Sequence, residues 1–289
     1  MNKDIIQIVS TEGFYPSDSV ASDFLLLYKN CKIRIDPSKS YYKKLKRSGC
    51  YTNNEFERQE KLIKNTDLLL VTHFHSDHVS GVDFLNYTDE YPISIYGKDV
   101  KKVKYTKILE EKTNSFPMAD YLYISDYKGI EIELRSFKHG RYKGIDMGKV
   151  ITSYFNNNHK LIISSDVSGP EFKDARNYII EKDPDFLILD GPFNYLYNIN
   201  PFKRKDPELS KKIKKKINKE IKKSYYNLER IIKDTENLSE ILLIHHFVRN
   251  MNINELKSSK KFTDLIDLSK EYGVKIFLPQ DVKKGLIKF

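Results

Sequence analysis

Cysteine is nearly absent from this sequence, which has only Cys31 and Cys50 among its 289 residues. Two thiols exclude a disulfide framework and any metal site that is built on a Cys-x-x-Cys pair. Long apolar runs are missing as well, and runs such as the one around residues 68–71 are far too short to span a bilayer. The N-terminal residues carry neither the apolar stretch nor the cleavage site of a signal peptide. We therefore expect a cytoplasmic protein with no membrane partner.

No internal repeat and no linker rich in glycine, serine or proline divides the chain. Hydrophobic residues make up 39% of the sequence and charged residues 31%, which is typical of a globular protein and not of a disordered one. The length is sufficient to bury a full core. We therefore expect a single domain over residues 1–289.

The net charge of +10 is concentrated in one segment. Eleven basic and three acidic residues lie between positions 203 and 223, so this stretch alone carries a charge of +8. Apolar residues recur there at helical spacing, and lysines fall on the opposite face. We therefore predict a basic helical segment at about 203–235. Its lysines either attract phosphates, with Tyr225 and Tyr226 available to stack on bases, or only solvate an amphipathic helix.

Elsewhere the chain alternates between many short strands and fewer helices. Helical periodicity predicts helices at 55–65 and 253–272. Strands with interspersed helices favour layered sheets flanked by helices, which is an α/β fold of the α+β type. Short apolar or alternating runs predict strands at 5–9, 24–28, 32–35, 67–72, 93–96, 121–124, 130–134, 150–154, 161–164, 186–189, 241–244 and 274–278.

Histidine is scarce, yet three of the seven histidines fall within residues 73–78, whose sequence is HFHSDH. This run follows a predicted buried strand, and a strand end with a tight loop can direct alternate side chains to one point. Zinc takes imidazole nitrogen and carboxylate oxygen in catalytic sites, whereas structural sites use mainly thiolates. We therefore predict that His73 and His75 bind one metal, and that Asp77 and His78 reach a second.

The motif at residues 73–78 resembles that of the metallo-β-lactamase superfamily of hydrolases. The resemblance implies an αββα sandwich with two metals at the edge of the sheets, and further ligands at the ends of later strands. His139 resembles the third ligand of the first metal, and Asp166 resembles the carboxylate that bridges the two metals. Asp36 resembles an early aspartate that lies behind the ligands.

The last ligand of the second metal falls on one of two adjacent histidines. RNA-processing members of the superfamily place an arginine four residues after this ligand, and Arg249 lies four residues after His245. The resemblance therefore favours His245 as the ligand, His246 as the proton donor to the leaving group and Arg249 as an anion contact. The alternatives stay open: His246 could orient a ligand, and Arg249 could form a surface ion pair.

Three further runs, at residues 165–170, 190–192 and 245–250, resemble an uncharacterised and mainly archaeal branch of predicted hydrolases in this superfamily. The resemblance extends to about residue 284. Asn250 stands where this branch usually has aspartate, and Asp190 precedes Gly-Pro where a small residue is common. We expect either difference to shift the choice of substrate, and neither to touch the metal ligands.

The resemblance implies a metal-dependent hydrolase in which two divalent metals share a water and lower its pKa toward neutrality. Asp77 would also orient this nucleophile. Zinc is the expected metal, with Mn²⁺ and Fe²⁺ as alternatives. We expect a phosphodiesterase or ribonuclease that acts on RNA or another phosphate-bearing molecule. The alternatives are a hydrolase of small esters, lactones or thioesters, and a non-enzymatic scaffold that binds metal or nucleic acid.

Overall fold

Short strands dominate the structure. The computed structural model describes residues 7–10, 24–28, 31–36, 65–73, 75, 78, 86–87, 120–142, 145–146, 148–192, 207–248, 253–278 and 286–288. The strands are β1 (Gln7–Ser10), β2 (Phe24–Tyr28), β3 (Cys31–Ile35), β4 (Asn65–Thr66), β5 (Leu68–Leu70), β6 (Asn86–Tyr87), β7 (Tyr121–Tyr127), β8 (Ile130–Lys138), β9 (Arg141–Tyr142), β10 (Ile145–Asp146), β11 (Lys149–Asn156), β12 (Lys160–Ile163), β13 (Phe186–Leu189), β14 (Glu240–Leu243), β15 (Lys275–Phe277) and β16 (Leu286–Lys288). The helices are α1 (Lys173–Lys182), α2 (Pro207–Asp234), α3 (His245–Val248), α4 (Ile253–Lys257) and α5 (Lys260–Glu271).

Two sheets carry most of these strands. One has the order β16-β1-β2-β3-β5, and the other has the order β15-β14-β13-β12-β11-β8-β7. In the seven-stranded sheet, β12 to β15 run parallel to one another, whereas β7, β8, β11 and β12 form antiparallel pairs. Smaller pairs form between β9 and β10 and between β4 and β6.

The central strands of the seven-stranded sheet, β11 to β14, are largely buried on both faces. Successive side chains of a strand point to opposite faces, and β12 follows this rule. Leu161 and Ile163 pack in a core shared with Ile33 of the five-stranded sheet. Ile162, between them in sequence, packs with apolar residues of α1, α2 and α5. The sheets therefore form a sandwich, and helices cover the outer face of the larger sheet.

Helix α2 lies within the predicted basic segment and confirms its helical structure. Ile217, Ile221 and Leu228 are buried against the sheet, because they recur on one face of the helix. The lysines on the opposite face are exposed. No helix in the described part of the chain combines the length and the apolar character needed to cross a membrane.

Most predicted strands are confirmed within a few residues. The single helix predicted at 253–272 is wrong, because the chain forms two helices that are separated at Ser258 and Ser259. The Ser259 side chain accepts a hydrogen bond from the Phe262 amide and so begins a new helix. The prediction missed α1. The strand predicted at 93–96 and all but the last residue of the helix predicted at 55–65 lie outside the described residues. That last residue, Asn65, begins strand β4.

The topology brings the carboxyl ends of several strands to one edge of the sandwich. β12, β13 and β14 are parallel neighbours. β11 is antiparallel both to β8 and to β12, so β8 runs in the same direction as β12. In the other sheet, β3 and β5 are also parallel. The Ile151 amide donates to the Thr72 carbonyl across 3.1 Å, which ties the two sheets together beside this edge.

Candidate metal centre

Thr72, the residue before the histidine motif, fixes the start of the site. Its backbone amide donates to Oδ1 of Asp36 at 2.7 Å, and its hydroxyl donates to Oδ2 of Asp36 at 2.6 Å. The same hydroxyl lies 3.1 Å from Nδ1 of His73 and 2.8 Å from Oγ of Ser165. The contact between the Thr72 hydroxyl and Nδ1 of His73 leaves Nε2 of His73 facing the other histidines. The two ring nitrogens lie on opposite sides of the imidazole.

A first cluster of possible ligand atoms forms where β5, β8 and β12 end. Nε2 of His73 lies 2.9 Å from Nδ1 of His75, which lies 3.3 Å from Nε2 of His139. Oδ2 of Asp166 lies 3.6 Å from the His73 nitrogen and 3.5 Å from the His139 nitrogen. Tetrahedral zinc with bonds of ~2.0–2.1 Å separates its ligand atoms by about 3.3 Å. The four side chains therefore have the spacing of a metal site.

A second cluster shares Asp166 with the first. Nδ1 of His246 lies 3.5 Å from Oδ1 of Asp166 and 3.5 Å from Oδ2 of Asp190. All three side chains are buried, and their ligand atoms lie within 4.8 Å of one another. The two oxygens of Asp166 thus face different clusters.

His78 lies between two carboxylates. Its Nδ1 is 2.8 Å from Oδ2 of Asp36, and its Nε2 is 3.1 Å from Oδ2 of Asp166. Burial disfavours the charged ring, but the two carboxylates outweigh it and raise the pKa of His78 well above its usual value. Asp36 therefore holds the ring, and Nε2 is directed into the site.

Other ionisable groups of the site are shifted by the same burial. Burial, helped by the neighbouring histidine charges, lowers the pKa of His73 well below its usual value. Burial and the adjacent Asp166 carboxylate raise the pKa of Asp190 well above its usual value. A buried imidazole that stays neutral is in the form that binds a metal, because its ring nitrogen keeps a lone pair.

The loop after Asp166 is held by hydrogen bonds from three directions. Asp190 accepts from the amides of Ser168 at 3.0 Å and Gly169 at 3.2 Å. The Ser168 hydroxyl donates to the His139 carbonyl at 3.0 Å, and the Ser224 hydroxyl on α2 donates to the Ser168 carbonyl at 2.5 Å. The loop thereby connects two candidate ligands, and α2 supports it from the other side.

The structure brings most of the predicted site residues together, but some lie outside its described part. Residue 77 is one of these, and so are Arg249 and Asn250. The backbone of His245 begins α3, but its side chain is not described. The predicted residues that do meet at the site are His73, His75, His78, His139, Asp166 and His246, with Asp36 behind them.

Asp190 corrects one expectation from the sequence. It was expected not to touch the ligands, yet it lies 3.5 Å from His246 and belongs to the second cluster with Asp166. The available signal was its place directly after the apolar run of β13. The position of β13 between β12 and β14 cannot be read from the sequence. The contact of Asp190 with the candidate ligands could therefore not be predicted.

The donor set fits divalent metal ions. Three imidazole nitrogens and one carboxylate form the first cluster, and one imidazole and two carboxylates form the second. Nitrogen and oxygen donors of this kind suit zinc, iron and manganese. Both clusters are largely buried, so the electrostatic attraction for a cation is weakly screened there.

Sequence comparison relates the chain to archaeal proteins. No protein-family model matches it. It is 25% identical over 232 residues to a UPF0282 protein of Saccharolobus islandicus, an alignment that covers 74% of this chain and only 65% of that relative. It is 22% identical over 253 residues to a UPF0282 protein of Methanocaldococcus jannaschii, with 78% of this chain and 80% of the relative covered.

Structural comparison identifies the fold. The metallo-β-lactamase fold protein YhfI of Bacillus subtilis superposes with a TM-score of 0.56 at 12% identity, covering 99% of this chain and 100% of YhfI. An isothiocyanate hydrolase from Delia radicum gut bacteria gives 0.56 at 15% identity, with 99% and 98% covered. A diphosphatase from the PhnP family gives 0.50 at 11% identity, with 99% and 97% covered.

Proposed function

Because the chain has the metallo-β-lactamase fold, we propose that it is a metal-dependent hydrolase whose substrate contains a phosphodiester. The observation that supports this most is the pair of buried ligand clusters that share Asp166. A site that had lost its function would be expected to have lost ligands. Here the described residues retain enough nitrogen and oxygen donors for two ions.

Each ion has its own donors in this proposal. His73, His75 and His139 hold the first metal, Asp166 bridges, and His246 contributes to the second. The resemblance favoured His245 as the ligand and His246 as the proton donor, but the side chain of His245 is not described. We assign the ligand role to His246 because its Nδ1 lies 3.5 Å from Asp166. Divalent metals at such a site supply hydroxide near neutral pH because they lower the pKa of water.

The residues behind the ligands position them. Asp36 accepts from the Thr72 amide and hydroxyl and contacts His78, so one buried carboxylate orients two segments of the motif. Carboxylates behind metal-binding histidines fix the tautomer and raise the basicity of the ring. We expect Asp36 to act in this way, without contacting the substrate.

Two observations favour a phosphodiester over an uncharged substrate. First, α2 presents a row of exposed lysines, which attract phosphates. Second, the shared fold is compatible with such a substrate, because a diphosphatase also has it. Stacking of bases on α2 has less support than expected from the sequence. Tyr225 is buried with its ring 6.4 Å from that of Phe247, and only Tyr226 of this pair is exposed.

A small uncharged substrate is the second candidate, because an isothiocyanate hydrolase also has this fold. Under this alternative, the lysines of α2 serve only to keep the exposed face of the helix hydrated. Activity measurements on substrates of both classes separate the two candidates.

The test is a comparison of metal-loaded protein on bis-p-nitrophenyl phosphate, labelled RNA and a panel of lactones. We expect hydrolysis of the phosphodiesters and little of the lactones.

His139→Ala should lower the rate by about 100-fold or more, because it removes a metal ligand. His159→Ala is the matched control, since His159 lies exposed in the turn between β11 and β12. Hydrolysis of lactones alone would favour the second candidate, and equal activity of His139→Ala and wild type would contradict both.

A further inference from the structure

Asp190 is a buried carboxylate that lies outside the ligand set expected from the sequence. It follows β13, which lies between β12 and β14 in a parallel arrangement. Asp166 follows β12 and His246 follows β14, so the three side chains meet where these strands end. We propose that Asp190 is a ligand of the second metal, together with Asp166 and His246. This inference rests on the proposed function, because it requires the two-metal centre.

The two distances to the His246 nitrogen are close to those that a shared metal requires, and all three ligand atoms lie within 4.8 Å of one another. Oδ1 of Asp166 and Oδ2 of Asp190 each lie 3.5 Å from Nδ1 of His246. Ligand atoms around one ion with bonds of ~2.0–2.1 Å are separated by about 3.3 Å in a tetrahedron. The three atoms therefore occupy positions from which one ion can be reached by all of them.

Charge points to the same conclusion. Asp166 and Asp190 are both almost completely buried, and they face the same histidine nitrogen. Two carboxylates in a buried site repel each other unless a cation or a proton lies between them. A divalent ion at this position would compensate both charges at once.

The alternative role for Asp190 is to hold the loop after Asp166. It accepts from the amides of Ser168 and Gly169, and these bonds alone would explain a buried carboxylate. The two roles are compatible, because each carboxylate oxygen has two lone pairs and the amides use one on each. Hydrogen bonds of this kind also orient carboxylates that bind metals.

The second metal position differs in chemistry from the first. The first cluster has three imidazoles and one carboxylate, whereas the second has one imidazole and two carboxylates. Carboxylate oxygens suit harder cations such as Mn²⁺, and imidazoles suit zinc. Among the described residues, Asp190 thus adds to the second position a carboxylate oxygen, the donor type that suits Mn²⁺.

Metal counting on Asp190→Asn tests the proposal. Equilibrium dialysis against Mn²⁺, followed by elemental analysis, should give two ions per chain for the wild type and one for the variant. We expect the second dissociation constant to rise about 100-fold or more. Ser224→Ala is the matched control, because it removes a different hydrogen bond to the same loop. The control should keep both ions, with less than about a tenfold change in affinity.

Each other outcome is informative. Two ions bound to Asp190→Asn with wild-type affinity would overturn the inference and leave the proposed function intact. Equal losses in Asp190→Asn and Ser224→Ala would also overturn it, because Asp190 would then act only through the loop. A wild type that binds fewer than two ions overturns the inference, and one that binds none overturns the proposed function as well.

A second measurement needs no substitution and covers the case in which Asp190→Asn does not fold. In a crystal of the wild-type protein grown with Mn²⁺, anomalous scattering locates the ion. We expect an Asp190 oxygen at ~2.2 Å from the second ion, which is the usual metal–oxygen bond length. An ion more than about 3 Å from both Asp190 oxygens would overturn the inference, since such a distance excludes a bond.

Discussion

Asp166 is the residue on which both candidate metal positions depend. Its Oδ2 faces the first cluster and His78, and its Oδ1 faces His246. The preceding residue, Ser165, has a φ of +52° and contacts the Thr72 hydroxyl, so the backbone is held in a conformation that L-residues rarely adopt. The structure therefore fixes the carboxylate that, in the proposed two-metal site, would lie between the two ions.

The loop after Asp166 depends on Gly169, which has a φ of +81°. An added Cβ would lie 2.3 Å from the Pro192 nitrogen and 2.4 Å from the Gly191 carbonyl carbon. We expect Gly169→Ala to lower the free energy of unfolding by about 3 kcal/mol or more, because backbone overlap is added to the cost of the left-handed conformation. Urea denaturation followed by circular dichroism measures this loss.

Gly273→Ala is the matched control for Gly169→Ala. Gly273 also has a positive φ, +71°, but an added Cβ there meets nothing within 4 Å. This control should lose only the conformational term, about 1–2 kcal/mol. Equal losses in the two variants would contradict the tight packing of the loop against residues 191 and 192.

Cys31 provides a second prediction at the residue scale. Burial and the nearby Asp67 raise the pKa of its thiol to about 11, so the unreactive protonated form predominates at neutral pH. In a Cys50→Ser variant, we expect the native thiol to react with Ellman's reagent about 100-fold or more slowly than the unfolded chain at pH 8. The native rate should rise as the pH approaches 11. Rapid reaction of the native thiol at pH 8 would show that Cys31 is accessible and ionised.

The sequence predicts ligands best where a residue type is rare and follows a strand. His73, His75 and His139 are conspicuous for this reason, and Asp166 could be recognised from its place at the end of a strand and in the run at residues 165–170. Asp190 could not be assigned in the same way, because a single aspartate after an apolar strand has many explanations. Only the order of the strands in the sheet places it beside Asp166.

At the scale of elements, α2 connects the core, the site loop and an exposed basic face. Its apolar residues pack on the seven-stranded sheet, and Ser224 and Asn227 donate to carbonyls of residues 168, 170 and 171. The amphipathic pattern of α2 is strong enough to predict the helix from sequence. α1 has a weaker apolar face and no side-chain cap at its start, which explains why it was missed.

The exposed lysines of α2 can be tested for binding of phosphates. We expect replacement of Lys212, Lys215, Lys216 and Lys219 by Gln to weaken binding of single-stranded RNA. Each phosphate contact contributes about −0.7 to the slope of log affinity against log salt, so the variant should flatten this slope by about two units or more. Fluorescence anisotropy over a range of salt concentrations measures both effects.

The control for the lysine variant is hydrolysis of bis-p-nitrophenyl phosphate, which is too small to contact the length of α2. Its rate should not change, and the free energy of unfolding should stay within ~0.5 kcal/mol because all four side chains are exposed. Unchanged RNA affinity in the variant would mean that the lysines only solvate the helix.

At the scale of the whole molecule, the sandwich assembles the site from strand ends that are far apart in sequence. Asp36, His73, His139, Asp166 and His246 all follow strands of the two sheets. The order of the motifs along the chain was sufficient to predict the metallo-β-lactamase fold. The candidate ligands follow predicted strands, and they occur in the order that is expected for this fold. The pairing of the strands could not be derived, since it depends on contacts between distant segments.

The most direct test of the whole account is the dependence of hydrolysis on metal. Protein freed of metal with a chelator is titrated with Zn²⁺ or Mn²⁺ while hydrolysis of bis-p-nitrophenyl phosphate is followed. In the proposed mechanism both clusters are filled to supply the nucleophile near neutral pH. We therefore predict that the rate rises with added metal and reaches a plateau at two ions per chain. A rate that is the same without metal, or no hydrolysis at any ratio of metal to protein, would contradict the account.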